Sequence, residues 1–124
     1  MSQTHEGLVL IIDDEETIRD GCRQVLEKSG YEVMATADGS EGIRIAREQH
    51  PDLVFVDLKL PGMSGLDVID ILVEDIPHIV LVVITGYASI LSAVESMKRG
   101  AYDYLPKPFT PDQLRAVTKR GLEH

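Results

Sequence analysis

Leu53-Val54-Phe55-Val56-Asp57-Leu58-Lys59-Leu60-Pro61-Gly62-Met63-Ser64-Gly65 decides how this chain folds. Leu53 to Val56 is apolar, continuous rather than alternating, and too short for a helix, so it reads as a strand buried on both faces. It stops at a carboxylate, and Leu58 to Ser64 does not start a helix at once. Asp57 therefore leaves the strand into a loop. Runs of the same kind at Leu8 to Ile12 and Ile79 to Ile84 predict two further buried strands, and weaker strands fit at Glu32 to Thr36 and Tyr102 to Leu105.

Helical periodicity fills the gaps. Ile18, Cys22, Val25 and Leu26 mark one helix and Ile43, Ile45 and Ala46 the next; others fit at Gly65 to Val73, Ser89 to Arg99 and Pro111 to Arg120. Gly30 follows the first helix, Asp38 with Glu41 can cap the second, and Thr110-Pro111-Asp112-Gln113 has the form of a capping box with proline at N1. Five strands alternating with five helices predict an α/β fold of the flavodoxin-like kind. Its doubly wound five-stranded parallel sheet has the order 2-1-3-4-5 and helices on both faces. A ligand site is then expected at the carboxyl ends of the strands, where the first and third strands flank the reversal of winding.

With 124 residues the chain suits a single domain. Twenty-one acidic against twelve basic residues give a net charge of -9, which disfavours general attraction to nucleic acid. Cys22 is the only cysteine, so no internal disulfide is possible; a reducing cytoplasm fits, with the thiol filling space in a core. The N-terminus lacks the pattern of a signal peptide, and Ile79 to Ile84 is too short to span a bilayer, so no membrane partner is expected. Leu122-Glu123-His124 resembles the remnant of an expression tag, which would bound the domain at 1–121.

Asp13 and Asp14 follow the first strand as Asp57 follows the third. Two carboxylates about 4 Å apart repel by roughly 4 kcal/mol at an effective dielectric near 20, so a cluster of three requires a proton or a cation. An oxygen-only donor set favours Mg²⁺, which commonly takes one or two carboxylates together with phosphate oxygens. Asp13 and Asp14 could instead cap the following helix or favour its dipole. Thr85 ends the fourth strand with Gly86 behind it and could donate to a phosphoryl group, or serve only as a β-branched strand residue or cap. Lys107, between Pro106 and Pro108, is held at a turn that points its ammonium toward the acidic edge, and Lys107-Pro108 suits a cis peptide.

Together, Ile12-Asp13-Asp14-Glu15, Val54-Phe55-Val56-Asp57 with Leu60-Pro61-Gly62-Met63-Ser64-Gly65, Thr85-Gly86, and Tyr102-Asp103-Tyr104-Leu105-Pro106-Lys107-Pro108-Phe109 closely resemble the receiver domains of two-component response regulators. The resemblance covers nearly the whole chain. Each motif is weak alone; four in fixed order at consecutive strand ends make a specific joint signal.

The resemblance implies that Asp57 accepts a phosphoryl group, that Asp13, Asp14, Asp57 and the Lys59 carbonyl hold Mg²⁺, and that Lys107 and Thr85 contact the transferred group. It assigns switching to Thr85 and Tyr104. A sensor histidine kinase or phosphotransfer protein is the expected donor, a small acyl phosphate the alternative, since no Gly-rich phosphate loop is present. An output domain beyond the C-terminus, of the transcription-regulating kind in the subgroup resembled, and a homodimer through the fourth helix, fifth strand and fifth helix are the further expectations. Lys59 and Tyr87 are expected to flank the phosphoryl and set water access. Ile90, Leu91, Ala93, Val94 and Met97 give the fourth helix a wide apolar arc, either an output surface or the mark of a well-buried helix. His5, His50 and His78 read as surface or loop residues. Two rivals are an aspartate-nucleophile phosphatase of the haloacid dehalogenase type, whose second aspartate is replaced by Glu15, and a receiver-like scaffold that binds partners without phosphorylation.

Overall fold

A computed structural model of the chain describes residues 7–86 and 89–124. The elements alternate strictly: β1 (Leu8–Ile12), α1 (Glu16–Lys28), β2 (Glu32–Thr36), α2 (Gly39–Gln49), β3 (Leu53–Val56), α3 (Gly65–Asp75), β4 (Val80–Thr85), α4 (Ile90–Arg99), β5 (Asp103–Pro106) and α5 (Pro111–Glu123). All strand pairs are parallel, in the order β2-β1-β3-β4-β5. The fold is the one expected from the alternation.

Continuous apolar strands give each face of the sheet its own core. Leu10, Ile12, Val54, Val56, Leu81 and Val83 project to the layer that holds Val68, Ile69 and Leu72 of α3 and Ile43 and Ala46 of α2. Their neighbours Val9, Ile11, Leu53, Phe55, Val82 and Ile84 meet Cys22 and Leu26 of α1 and Leu114 and Val117 of α5. Full burial of each large side chain is worth about 1.5–3 kcal/mol, so the central strands dominate the stability. The outer strands β2 and β5 are only partly covered, which is why their apolar signal in the sequence is weaker.

Asp38 and Thr110 cap their helices as expected, whereas Glu41 accepts from Thr36 instead of closing a box with Asp38. Asp38 accepts the Ser40 amide at 2.9 Å, and Thr110 and Gln113 exchange bonds of 3.1 and 2.8 Å at the start of α5. On the edge strands, Arg23 donates to the Val33 carbonyl at 2.9 Å and Arg120 to Asp103 at 3.0 Å. The turn that carries Asp57 back to α3 depends on Gly65: a Cβ there would stand 2.1 Å from the Asp57 carbonyl oxygen.

Several element ends differ from the sequence reading, and one alternative that it left open, the exposure of α4, is resolved. β5 starts at Asp103 rather than Tyr102, although the Tyr102 amide already bonds the Leu81 carbonyl at 2.7 Å. α5 runs to Glu123 rather than ending at Arg120, with Leu122 packed against the α1–α5 core. α4 is not a buried helix: it lies beside α3 and β5 and leaves Ile90 and Leu91 more than four-fifths exposed, with Val94 and Met97 nearly half exposed. Among the described residues no helix is long and apolar enough to cross a membrane.

Candidate functional site

Asp57 sits one residue beyond β3. Its amide donates to the Ile12 carbonyl at 2.9 Å, so the β1–β3 pairing continues to the residue that turns away. Its carboxylate is buried; Oδ1 accepts the Lys59 amide at 3.1 Å and Oδ2 accepts Lys107 Nζ at 2.9 Å. Asp13 occupies the matching place beyond β1 and is fully buried. Its amide donates to the Thr36 carbonyl at 3.0 Å, its carbonyl accepts Arg19 Nη1 at 2.7 Å, and its Oδ1 accepts the Glu15 amide at 2.9 Å. Asp14 is exposed beside them, and one carboxylate oxygen from each of Asp13, Asp14 and Asp57 lies within 4.8 Å of the others. Neither Asp13 nor Asp14 caps α1, whose N-cap is Glu15 with no side-chain cap bond.

Lys107 joins the two buried carboxylates. Its amide donates to the Thr85 carbonyl at 2.9 Å, which ties the β5 end to the β4 end and aims the side chain across the sheet edge. The ammonium, one-tenth exposed, bonds Asp57 and the outer carboxylate of Glu15 and lies 2.9 Å from Asp13 Oδ2. Burial works against this charge, but the close carboxylates of Asp13, Glu15 and Asp57 outweigh it and hold the Lys107 pKa above its ordinary value. Burial also pushes the Asp13 carboxyl upward, against the lowering effect of Lys107 and the Glu15 amide.

Asp14, Glu15, Asp57, Lys59, Gly86 and Lys107 line an open cleft of about 730 Å³ at this edge. Thr85, fully buried, ends β4 directly before the Gly86 that lines the cleft. Tyr104, on β5, is half-buried, and its hydroxyl lies 2.8 Å from Ser92 Oγ of α4. Tyr87 and His5 lie outside the described residues.

The donor set fits a hard divalent cation. Asp13 Oδ2 is fully buried and makes no hydrogen bond; its contact with Lys107 is ionic only, with the ammonium off the bonding direction. Three carboxylates, those of Asp13, Glu15 and Asp57, contact the one ammonium and Asp14 stands beside them, so acidic groups outnumber the cation that compensates them.

Residues 9–119 match the response regulator receiver domain family. The chain belongs to this family. Among its relatives, the nitrogen assimilation regulatory protein NtrX of Azorhizobium caulinodans is 37% identical over 117 residues, covering 93% of this chain and 26% of that protein. The alginate biosynthesis transcriptional regulatory protein AlgB of Pseudomonas aeruginosa is 36% identical over 118 residues, covering 95% of the chain and 26% of the relative. The crystal structure of the NtrX receiver domain from Brucella abortus superposes with a TM-score of 0.88 at 36% identity, covering 93% of this chain and 98% of that one. The receiver domain thus spans about a quarter of the length of these curated relatives.

Within the receiver domain, the residues picked from strand ends converge: Asp13, Asp14, Asp57 and Lys107 share one cluster, which Lys59 joins through its amide to Asp57 and Thr85 through its carbonyl to the Lys107 amide. Three contributors were not singled out from sequence. Glu15 was only part of a motif, yet its carboxylate bonds Lys107. Arg19 holds the Asp13 carbonyl, and its one available signal is a cation in the first turns of the helix that follows an acidic loop. Ser92 reaches Tyr104 across elements, a contact with no local pattern.

Proposed function

We propose that this receiver domain is a phosphorylation-activated switch in which Asp57 accepts a phosphoryl group from a phosphohistidine on a sensor kinase or phosphotransfer protein, in the cytoplasm. What supports Asp57 as the acceptor is the Lys107 ammonium, bonded to it while lying against buried Asp13 at the same distance of 2.9 Å. An Asp57 carboxylate oxygen attacks phosphorus in line; the bond from phosphorus to the donor nitrogen breaks, and its electron pair leaves with the imidazole. Lys107 neutralises charge on the transferring oxygens, and the Thr85 hydroxyl donates to one of them in the product. Asp13, Asp14, Asp57 and the Lys59 carbonyl would hold Mg²⁺, which when bound supplies positive charge to the phosphoryl oxygens. The aspartyl phosphate is later lost to water that enters past Lys59.

Switching passes from Thr85 to Tyr104 and on to the face made by α4, β5 and α5. Moving a two-state equilibrium from 1:99 to 99:1 takes about 5.5 kcal/mol, and hydrogen bonds to charged groups supply roughly 1.5–3 kcal/mol each, so two or three new contacts suffice. Exposed Ile90, Leu91, Val94 and Met97 support α4 as a contact surface, for an output domain or a second copy of the chain. The name of the relative AlgB, a transcriptional regulatory protein, points to transcription as the controlled process. The deciding experiment is intact mass after incubation with acetyl phosphate and Mg²⁺. One added phosphoryl in the wild type and none in Asp57→Ala is expected; no addition to the wild type, or equal addition to Asp57→Ala, rejects Asp57 as acceptor.

A further inference from the structure

The start of α4 is built from serines. Ser89 Oγ accepts the Ser92 amide at 3.0 Å, and Ser92 Oγ accepts the Ser89 amide at 3.1 Å, a reciprocal box in which Ser92 takes the place usual for Glu or Gln. The Ser92 hydroxyl also reaches beyond its own helix: it lies 2.8 Å from the Tyr104 hydroxyl on the neighbouring strand. One turn on, the fully buried Ser96 hydroxyl donates to the Ser92 carbonyl at 2.8 Å. Ser92 is thereby fixed from both sides along its helix while its oxygen reaches across to β5. The same helix carries the exposed apolar residues Ile90, Leu91, Val94 and Met97.

We infer that Ser92 is a positioning residue for the switch, holding Tyr104 on the α4 side of β5 and tying that side chain to the N-terminal box of α4. This rests on the reading of Tyr104 as a switch residue. For the ring to turn inward behind Thr85, the hydroxyl must leave Ser92, so the same movement that answers phosphorylation also removes a bond from the first turn of α4. A neutral hydrogen bond is worth about two- to tenfold in an equilibrium, enough to bias the resting position of the ring yet weak enough for a phosphoryl group to override. The polar link lets a movement of one ring change how firmly the apolar face of α4 is presented.

The test uses the whole chain with isotope-labelled tyrosine, Tyr104 being assigned by its loss in Tyr104→Phe. Without any phosphoryl donor, Ser92→Ala should shift the Tyr104 ring populations about two- to tenfold toward the inward position, and Ser92→Thr should restore the wild-type spectrum. A second measurement takes the half-saturating concentration of beryllofluoride with Mg²⁺, a phosphoryl mimic. It should fall about two- to tenfold in Ser92→Ala and in Tyr104→Phe, and the double variant should gain nothing further. Fully additive effects, or a Ser92→Ala ring spectrum identical to wild type while α4 amides exchange faster, would make Ser92 a helix cap alone and overturn the inference. Should the wild type bind no beryllofluoride and accept no phosphoryl, the acceptor reading fails, while the ring populations still decide the Ser92 bond.

Discussion

Lys107 Nζ donates to Asp57 Oδ2 at 2.9 Å, a bond between residues fifty positions apart in the chain. It closes the carboxyl edge of the sheet, because the lysine is itself anchored by its amide to β4 and its ammonium also faces Asp13. A single cation thus compensates two buried carboxylates.

Removing that cation should expose their mutual repulsion. Lys107→Met is expected to lower unfolding free energy by about 3–5 kcal/mol in chelator, the usual cost of breaking a buried pair from one side. Millimolar Mg²⁺ should return part of the loss. Urea titrations with and without the ion check this, and an equal loss in both conditions would count against a shared anionic pocket.

Arg19 clamps the Asp13 carbonyl from one side while Thr36 holds its amide from the other. Arg19→Met should cost about 1–2 kcal/mol of stability, since a part-buried carbonyl loses a charged donor. It should also weaken Mg²⁺ binding several-fold in an NMR titration, with Arg19→Lys intermediate. Unchanged Mg²⁺ affinity in Arg19→Met would show that the clamp does not position the carboxylate.

Two glycines at the site should respond oppositely to alanine. Gly65→Ala drives a methyl into the Asp57 carbonyl, so a loss above about 2 kcal/mol and slower phosphorylation are expected. Gly86→Ala meets nothing within 4 Å, and its stability should stay within about 0.5 kcal/mol of wild type. Thermal melts of the two variants, paired with acetyl phosphate labelling rates, provide the comparison.

Burial pushes the Cys22 thiol from 9.0 up to about 12. The unfolded chain therefore loses this proton first, and the folded state binds more protons between those values. Stability conferred at Cys22 is complete below 9.0 and declines as pH rises, by up to about 1.4 kcal/mol per pH unit. The wild-type unfolding free energy should accordingly fall relative to that of Cys22→Ala through this window. A difference independent of pH would mean that the thiol stays exposed to solvent.

The strands were legible because burial on both faces leaves a plain trace: β1 and β3 match their apolar runs residue for residue. Asp13, Asp57 and Lys107 were legible for a related reason, since parallel topology sends every strand end to one edge. Harder to see was anything that depends on the third dimension alone. Glu15 meets Lys107, and Ser92 meets Tyr104, through side chains on elements whose spacing in sequence carries no period. The apolar arc of α4 was visible but ambiguous; only its position beside α3 and β5 shows that the arc faces outward.

The edge strands carry a last consequence. Arg23 occupies the Val33 carbonyl on β2, while β5 is four residues long, ends in a proline and keeps Asp103 paired with Arg120. Neither margin offers the long, bare ladder that recruits a foreign chain into a growing fibre. A protein that leaves an oily helix exposed is thereby protected from polymerising through its backbone, and adhesion is left to the side chains of α4.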